Sequence, residues 1–440
     1  MHRRAALFLL PSIGSIARAG PSAGGPPRME WGAAVDLARG KGVRGPWRQN
    51  ESRYDFVDDP AVAMAPDGTA LVAWVDQARK AVRVQRRGAG GGTASDPVEL
   101  AGEPDAFSWL PRLAIAPDDP GSVCALWQEI VFSGGSHGGE MMLARSGDGG
   151  RSFAAPLNLS SSRGGDGKGR VTPEIWHNGS YDLLAAPQGR VHAAWTEYGG
   201  SLWLAHSTDG GRSFGSPRRV AGGPGEQPAR APALALADDG ALLLAWTHGD
   251  DPGADIQVAR AGDGAAFAAP IRIGPSPAYS DAPRLAVDGQ GVVHLVWGES
   301  EGAPFQTQRI LYARSGDGGR SFEAPRTLTA TLPPPSVSAG YPSLGVDARG
   351  RVYVLAELQH DPRQPPRGLG LCVSADGGGQ FQPMALVPHS ADPQGGFNGS
   401  SQGLLVPKLA VNAKGDIAVV NSALRPGSHS RVWLVRGRLR

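Results

Sequence analysis

The stretch "PRLAVDGQGVVHLVW" at residues 283–297 contains the pattern that decides the fold. Two alternating apolar runs flank a glycine-containing turn, and a tryptophan follows that glycine by six residues. Alternation with a period of two is typical of β-strands, and a short glycine turn between two such runs indicates an antiparallel hairpin. The stretch therefore predicts two strands joined by a tight turn.

This pattern recurs along the whole chain. Its glycine stands at 68, 121, 189, 240, 291, 350 and 415, and six residues later stand Trp74, Trp127, Trp195, Trp246, Trp297, Ala356 and Asn421. Successive glycines are 51 to 68 residues apart, which suits propeller blades and exceeds most helical repeats. The sequence predicts an all-β propeller of four-stranded blades, seven in number, with six as the alternative.

A third apolar run and a nine-residue turn complete the units. The turn reads "RSGDGGRSF" at 145–153 and 314–322, "HSTDGGRSF" at 206–214 and "VSADGGGQF" at 373–381. Glycine permits positive φ, and Ser and Asp side chains accept turn N–H groups, so we interpret these copies as structural turns. The last unit lacks a fourth strand, which "EWGAAVDLARG" (30–40) would supply by closing the ring with the C-terminal strand.

Composition and the first residues limit the functional classes. The chain has 43 basic and 41 acidic residues without a dense basic run, so no nucleic-acid partner is expected. Residues 1–19 have the basic start, apolar stretch and small-x-small site of a signal peptide. We expect a linker at 20–29, one domain at 30–440, secretion or a periplasmic location, no membrane insertion, a monomer and no cofactor. Cys124 and Cys372 fall in distant units, so we expect two free thiols.

Loops at one end of the ring, here called the top face, are the expected location of function. Two residues beyond the tryptophan position stand Asp76, Glu129, Glu197, His248 and Glu299. Such carboxylates satisfy backbone N–H groups at strand ends in one interpretation. In the other, two of them form an acid/base pair across a glycosidic bond.

The nine-residue turns match the Asp box S-x-D-x-G-x-x-[FW], as in Ser146, Asp148, Gly150 and Phe153. Here the sequence resembles the sialidase (neuraminidase) superfamily. The resemblance implies a tyrosine nucleophile activated by a glutamate, an aspartic acid that donates a proton, and three arginines that bind the substrate carboxylate.

Individual segments carry that resemblance onto this chain. "AGYPSLGVDARGRVYVLAE" (339–357) resembles the tyrosine segment, which implies that Tyr341 is the nucleophile. "RAPAL" (230–234) implies that Arg230 binds the carboxylate, and Arg284 is a looser match. Asp58 stands where the family has an R-I-P arginine, and the acid loop is shortened to "DQARKA" (76–81), which leaves Asp76 as the acid. Glu197 and Glu299 are the candidate partners of the tyrosine.

Two further segments depart from the repeat on the same face. "SSRGGDGKGRVTPEIWHNGSYD" (161–182) adds Trp176 and His177 as substrate-binding candidates, and "THGDDPGAD" (247–255) adds His248. No metal-ligand set is assigned. Three functions stay open: a glycan hydrolase of exo-α-sialidase type, a non-catalytic propeller that binds carbohydrate or protein, and a polysaccharide lyase. The lyase would use His177 or His248 with Tyr341 as base and acid.

Overall fold

The computed structural model of the 440-residue chain describes residues 28–46, 48, 51–102, 105–131, 138–160, 180–197, 200–250, 253–262, 266–301, 306–398 and 405–440. Its segments form seven antiparallel sheets that are each built around a repeat found in the sequence, and one separate two-stranded ribbon. The predicted seven-bladed, all-β propeller is confirmed. The described residues contain no helix with the length and hydropathy needed to cross a membrane.

The strands before the first blade are short. They are β1 (Met29–Trp31), β2 (Val35–Gly40), and the two-stranded ribbon β3 (Val43–Arg44) and β4 (Tyr54–Asp55).

The first three blades follow in chain order. Blade 1 comprises β5 (Val57–Met64), β6 (Ala70–Asp76), β7 (Ala81–Arg87) and β8 (Val98–Leu100), with a 3-10 turn at Ala89–Gly91. Blade 2 comprises β9 (Phe107–Ile115), β10 (Val123–Val131), β11 (Gly138–Ser146) and β12 (Leu157–Asn158). Blade 3 comprises β13 (Tyr181–Ala186), β14 (Arg190–Thr196), β15 (Leu202–Ser207) and β16 (Arg218–Ala221).

The remaining blades complete the ring. Blade 4 comprises β17 (Ala229–Leu236), β18 (Leu242–His248), β19 (Asp255–Ala261) and β20 (Ile271–Ile273). Blade 5 comprises β21 (Tyr279–Val287), β22 (Val293–Ser300), β23 (Gln308–Ser315) and β24 (Arg326–Thr327). Blade 6 comprises β25 (Ser338–Val346), β26 (Val352–Gln359), β27 (Gly368–Ser374) and β28 (Ala385–Leu386). Blade 7 comprises β29 (Leu409–Val411), β30 (Asp416–Arg425) and β31 (His429–Leu439).

Blade 7 closes the ring as the sequence predicts. Strand β31 pairs antiparallel with β1, where Met29 lies opposite Leu439, and with β2, where Val35 lies opposite Leu434. Because strands from both ends of the chain share one sheet, the blade is completed by hydrogen bonds that hold the two ends together.

The core lies between neighbouring blades. The repeated tryptophans occupy these boundaries and face the preceding blade: Trp246 of blade 4 packs with Leu202 and Leu204 of blade 3, and Trp297 of blade 5 packs with Ala233 of blade 4. Burial of aromatic and aliphatic surface at each boundary is the main stabilising contribution in such a ring.

The nine-residue turns lie at the bottom, opposite the top face. In the first of them the Ser146 hydroxyl accepts from the Gly150 N–H at 2.9 Å and donates to Asp148 at 2.7 Å. Asp148 also accepts the Ser152 N–H at 3.0 Å. The other three copies repeat these bonds, so the turns satisfy their own polar groups.

Candidate functional site

A β-bulge before a proline recurs in the first strand of five blades and shapes the top of the axis. The residue that precedes the proline has a φ of 50° to 59° in each case: Asp59, Leu110, Ala231, Ala282 and Tyr341. Proline cannot donate to the strand ladder, and a bulge with a left-handed residue absorbs the interruption. The bulge residues Ala231, Ala282 and Tyr341 of blades 4, 5 and 6 cluster with Leu405. We call the top end of the axis at this cluster the mouth.

Tyr341 is the phenol at the mouth, and the structure places it among polar groups. It is partly exposed, whereas Ala231 and Ala282 beside it are buried. Burial raises the pKa of the Tyr341 hydroxyl, the Asp281 carboxylate adds to the increase, and a hydrogen bond with the Gln308 side chain opposes it. The hydroxyl therefore stays protonated at neutral pH, so it needs a base in order to act as a nucleophile.

Asp281 lies on the neighbouring blade 5 and is fixed from two sides. Its Oδ1 accepts the Thr247 hydroxyl at 2.7 Å and the Ala282 N–H at 2.8 Å. The residue is partly exposed. Its negative charge also raises the pKa of Tyr279, as it does that of Tyr341. The charge of Asp281 thus acts on both Tyr279 and Tyr341, and sequence reasoning did not assign this residue.

Arg230 supports this cluster from below. Its side chain is fully buried, with Nη1 on Asp250 at 2.6 Å and Nη2 donating to the Tyr279 hydroxyl at 2.9 Å. The Nε atom is buried without a partner in the structure. Two of the three nitrogens are therefore engaged inside the protein, and the predicted carboxylate binder holds the tyrosine and the Asp250 loop.

A second carboxylate lies beside Tyr341 on its own blade. Glu357 forms a buried ion pair with Lys408 of blade 7 and accepts the Asn398 side-chain amide at 2.9 Å. Glu357 occupies the position one residue beyond the tryptophan register, as do Thr247 and Ser422. Ser422 donates to Asp58 of blade 1 at 2.6 Å. At three boundaries this row links a blade to the next, and its polar residues are the signal that the sequence offered.

Arg284, the looser match to a carboxylate binder, lies on the axis. Its guanidinium donates to the carbonyls of Pro283 and Leu405, and Arg112 of blade 2 donates to the same Leu405 carbonyl at 3.1 Å. Burial lowers the pKa of Arg284 to about 10, and Asp182 opposes that shift. The two arginines thus anchor the segment that enters the axis at Leu405.

Asp59 is the bulge residue of blade 1 and is almost fully buried. Neither carboxylate oxygen has a hydrogen-bond partner in the structure. Burial and the neighbouring Asp58 raise its pKa well above the usual value, while Lys408, Arg112 and Arg44 act in the opposite direction. A carboxyl group in this state is protonated over a wider pH range than a surface aspartate.

The carboxylates of Glu129 and Glu299, two residues beyond their tryptophans, are held by hydrogen bonds inside the protein. Glu129 accepts the Trp127 indole at 2.9 Å, and Glu299 accepts Ser276 at 2.9 Å and Arg309 at 2.6 Å. Glu197 lies in the turn that follows β14, where its N–H donates to the Ser201 carbonyl at 2.8 Å. The side-chain contacts of Glu129 and Glu299 agree with the interpretation of strand-end carboxylates as satisfied structural groups.

Asp76 ends β6 on the shortened loop of blade 1. Its side chain is 21% exposed and lies 3.6 Å from Arg79. Burial raises the pKa of this carboxyl group, and a backbone hydrogen bond from Arg79 opposes the shift. Among the predicted site residues it is the carboxylate whose protonated form is favoured by its surroundings, which suits a proton donor.

His248 lines a polar cleft of about 570 Å³ on the rim of blade 4, together with Asp250, Asp255 and Arg272. Arg272 pairs with Asp255 at 2.6 Å. Burial lowers the pKa of His248, and Asp255 opposes the shift. Since Asp250 also pairs with Arg230, this cleft borders the mouth cluster.

Two predicted substrate-binding residues, Trp176 and His177, lie outside the described residues. Within the described part of the chain, no group of three or more His, Cys, Asp and Glu side chains is arranged to hold a metal ion.

Comparison with known proteins supports the fold. No family model and no curated protein matches the sequence. A solved ulvan lyase bound to -[GlcA(1-4)Rha3S]- is 13% identical, covers 93% of this chain and 98% of its own, and has a TM-score of 0.55. The polysaccharide lyase Uly1 is 12% identical over 87% of this chain and 89% of its own, with a TM-score of 0.52. A protein of unknown function from Dyadobacter fermentans DSM 18053 is 14% identical over 78% and 97%, with a TM-score of 0.54.

Proposed function

We propose that the protein is a glycan-active enzyme, a glycoside hydrolase of exo-α-sialidase type, with Tyr341 and Asp281 at the mouth and Asp76 on the top loop of blade 1. The observation that carries the proposal is the partly exposed Tyr341 at the mouth, packed against the bulge residues Ala231 and Ala282, where the charge of Asp281 acts on its hydroxyl. A phenol whose pKa is raised needs a base to become a nucleophile, and we assign that role to Asp281.

The chemical steps follow from these groups. Tyr341 Oη attacks the anomeric carbon while Asp281 takes the phenolic proton, and the bond from the anomeric carbon to the leaving oxygen breaks. Asp76, whose pKa is raised by burial, donates a proton to that oxygen. Water, deprotonated by the now basic Asp76, then attacks the anomeric carbon; the bond to Tyr341 breaks and Asp281 returns the proton to the phenol.

The Arg230 side chain has a positioning role in this scheme. It holds the Tyr279 hydroxyl at 2.9 Å and the Asp250 carboxylate at 2.6 Å, so both stay in place beside Asp281. The polar rim cleft with His248 offers room for the sugar units beyond the cleaved bond.

The test measures hydrolysis of a fluorogenic α-sialoside and of neutral and uronic-acid glycosides by the full chain and by Tyr341→Phe. The variant keeps the ring that packs at the mouth, and we expect its kcat to fall about 10²-fold or more. Tyr353→Phe is the matched control, because it removes a hydroxyl that bonds Asp347 in the same blade at 3.0 Å, at the opposite end of the strand. Full turnover in Tyr341→Phe would overturn the proposed role.

A polysaccharide lyase is the second candidate. It is supported by the lyases among the structural neighbours, and it would use Tyr341 with His248 as acid and base. Ultraviolet absorbance of unsaturated products from polyuronates separates elimination from hydrolysis. A folded chain that is silent on every substrate would instead favour the non-catalytic binding propeller.

A further inference from the structure

A pair of arginines meets at the bottom of the boundary between blades 4 and 5. Arg260 lies near the end of the third strand of blade 4, and Arg320 lies in the nine-residue turn of blade 5. The two guanidinium groups hold one carboxylate between them, because Asp239 pairs with Arg260 and lies 3.4 Å from Arg320 Nη2. The charge of this aspartate offsets two positive charges that would otherwise repel each other.

The boundary between blades 2 and 3 has the same two arginines. Arg145 stands at the strand position of Arg260, and Arg212 stands at the turn position of Arg320. At the boundary between blades 4 and 5, a Cβ on the turn glycine Gly318 would lie 3.3 Å from Nη1 of each arginine. This glycine therefore marks the point at which the two guanidinium groups converge.

Gly210 is the equivalent turn glycine of blade 3. A Cβ on Gly210 would lie 3.6 Å from Arg145 Nε and 3.8 Å from Arg212 Nη1. The Ser122 hydroxyl lies 3.8 Å from the same point. Two guanidinium groups and a hydroxyl thus converge here as they do around the bound carboxylate of blade 4, and all three are hydrogen-bond donors.

Within the described residues, no carboxylate takes the place of Asp239 at the boundary between blades 2 and 3. The residue that precedes the hairpin glycine is Pro120 in blade 2, where blade 4 has Asp239. Asp118 accepts a backbone N–H of blade 3 at 2.7 Å, and Asp119 accepts one of its own hairpin at 3.0 Å. Neither aspartate forms an ion pair with either arginine of the pair.

The donor atoms of this second pair correspond to those that hold the aspartate in the first. Arg145 Nε is buried without a hydrogen-bond partner in the structure. Arg212 Nη1 donates to a carbonyl of its own turn at 2.7 Å, as Arg320 Nη1 does at 2.6 Å. The Nη2 atom of Arg212 therefore corresponds to the atom through which Arg320 meets Asp239.

We propose that Arg145 and Arg212 bind the side-chain carboxylate of an acidic segment of a partner protein. An aspartate on a hairpin loop is the occupant that the structure itself shows between two such arginines. Two guanidinium groups offer a carboxylate several charge-assisted hydrogen bonds. The site lies at the bottom of the ring, opposite the mouth, so it is a docking site that does not depend on the proposed hydrolase activity.

Calorimetric titration of the full chain at low ionic strength tests the proposal, because exposed ion pairs are screened by salt. The probe is an acetylated and amidated tripeptide with aspartate between two glycines, and its twin with asparagine is the neutral comparison. We expect the aspartate peptide to bind about tenfold more tightly than the twin, and Arg145→Gln or Arg212→Gln to remove that difference. Arg260→Gln is the matched control and leaves the affinity unchanged, since its site is already filled by Asp239.

A second variant creates the site where it is now filled. Asp239→Ala removes the carboxylate from Arg260 and Arg320, so we expect two equivalents of the aspartate peptide to bind instead of one. Adding Arg260→Gln to this variant should return the stoichiometry to one. The Arg212 side chain is exposed, so Arg212→Gln tests the site without a change in the core.

Four results would overturn the proposal. The asparagine twin could bind as tightly as the aspartate peptide, or the affinity could stay unchanged in Arg212→Gln. A single equivalent in Asp239→Ala would show that two arginines in this arrangement do not make a carboxylate site. Glucuronate or inorganic sulfate that binds as tightly as the aspartate peptide would identify an unselective anion site in place of a protein-docking site.

Discussion

The Thr247 hydroxyl at the end of blade 4 donates a hydrogen bond of 2.7 Å to the Asp281 carboxylate of blade 5. The contact crosses a blade boundary and fixes the carboxylate whose charge raises the pKa of Tyr279 and of Tyr341. Asp281 Oδ1 also receives the Ala282 N–H at 2.8 Å. Both bonds occupy the same oxygen, so the carboxylate plane is set by its neighbours before any substrate arrives.

Replacement of Asp281 by asparagine removes the negative charge and keeps a side chain of similar shape. In Asp281→Asn the negative charge that raises the pKa of Tyr341 is lost, so we expect that pKa to fall. Catalysis should fall about 10²-fold at the same time, because the amide cannot accept the phenolic proton. Ultraviolet pH titration of Asp281→Asn against the Tyr341→Phe, Asp281→Asn double variant isolates the titration of Tyr341.

Thr247→Val is the control for orientation, since it removes one hydrogen bond and keeps the charge of Asp281. We expect a loss of activity smaller than that of Asp281→Asn. Unchanged turnover in Asp281→Asn would show that Asp281 is not the base.

Ionisation of the buried Asp59 carboxyl group should lower the free energy of unfolding at neutral pH. It is buried without hydrogen-bond partners and its pKa is raised by burial and by Asp58. A carboxyl group with a raised folded pKa binds more protons in the folded state, so stability falls as pH rises from the unfolded pKa of about 4 towards the folded pKa. Asp59→Asn keeps the neutral shape, and Asn tolerates the φ of 51°.

We therefore expect Asp59→Asn to raise the free energy of unfolding at pH 7 by about 1 kcal/mol or more, and to lose that advantage near pH 4. Urea unfolding at the two pH values measures the difference. A destabilised variant at pH 7 would mean that the Asp59 charge is satisfied in the folded protein.

Arg230 should contribute more to stability than a comparable rim arginine. Its side chain is fully buried, and it bonds both Asp250 and Tyr279. Arg230→Met should cost about 2 to 3 kcal/mol of unfolding free energy, since charge-assisted hydrogen bonds inside the protein are lost. Arg272→Met is the matched control, because Arg272 is 53% exposed in its pair with Asp255, and its loss should cost about 1 kcal/mol or less. Equal losses in chemical denaturation would refute this ranking.

Much of the architecture could be predicted because each blade must form the same hairpins and bury the same kind of apolar surface against its neighbour. Glycine turns and tryptophans at a fixed spacing reveal hairpins and boundaries, and the unpaired last unit reveals the closing strand. The residues of the candidate site were harder to predict, because successive side chains of a strand point to opposite faces of the sheet. Residues two beyond the tryptophan, such as Glu129, share its face towards the preceding blade, whereas Thr247 and Glu357, one beyond it, face the next.

Contacts between blades explain the remaining differences. Arg230 and Arg284 were recognised as residue types, but their burial depends on Tyr279 and on the segment at Leu405, which lie 49 and 121 residues away. Tyr341 was selected because residues 339–357 resemble the tyrosine segment of the sialidases; its positive φ of 50° before Pro342 was not predicted. Asp281 belongs to the preceding repeat. The spacing of residues along the sequence does not reveal that its charge acts on Tyr341.

The nine-residue turns at the bottom of the ring should contribute less to the free energy of unfolding in acid than at neutral pH. The pKa of Asp148 is lowered by hydrogen bonds from the Ser152 side chain and backbone, which favour the ionised form in the folded state. A carboxylate with a depressed folded pKa stabilises the fold above its unfolded pKa of about 4, and that contribution is lost as the pH falls below it. Asp148→Asn should therefore be less stable than the parent at pH 7, and the gap should narrow at pH 3.

Urea unfolding of both chains at pH 7 and pH 3 measures this gap. Asp105→Asn serves as the control, because Asp105 is 87% exposed and lies 3.7 Å from Lys80, so its replacement should change stability by less than about 0.5 kcal/mol at either pH. In Asp148→Asn the amide oxygen can still accept N–H groups. The part of the difference in unfolding free energy that disappears at pH 3 therefore measures the contribution of the Asp148 charge. A gap that is as wide at pH 3 as at pH 7 would show that Asp148 acts through shape alone.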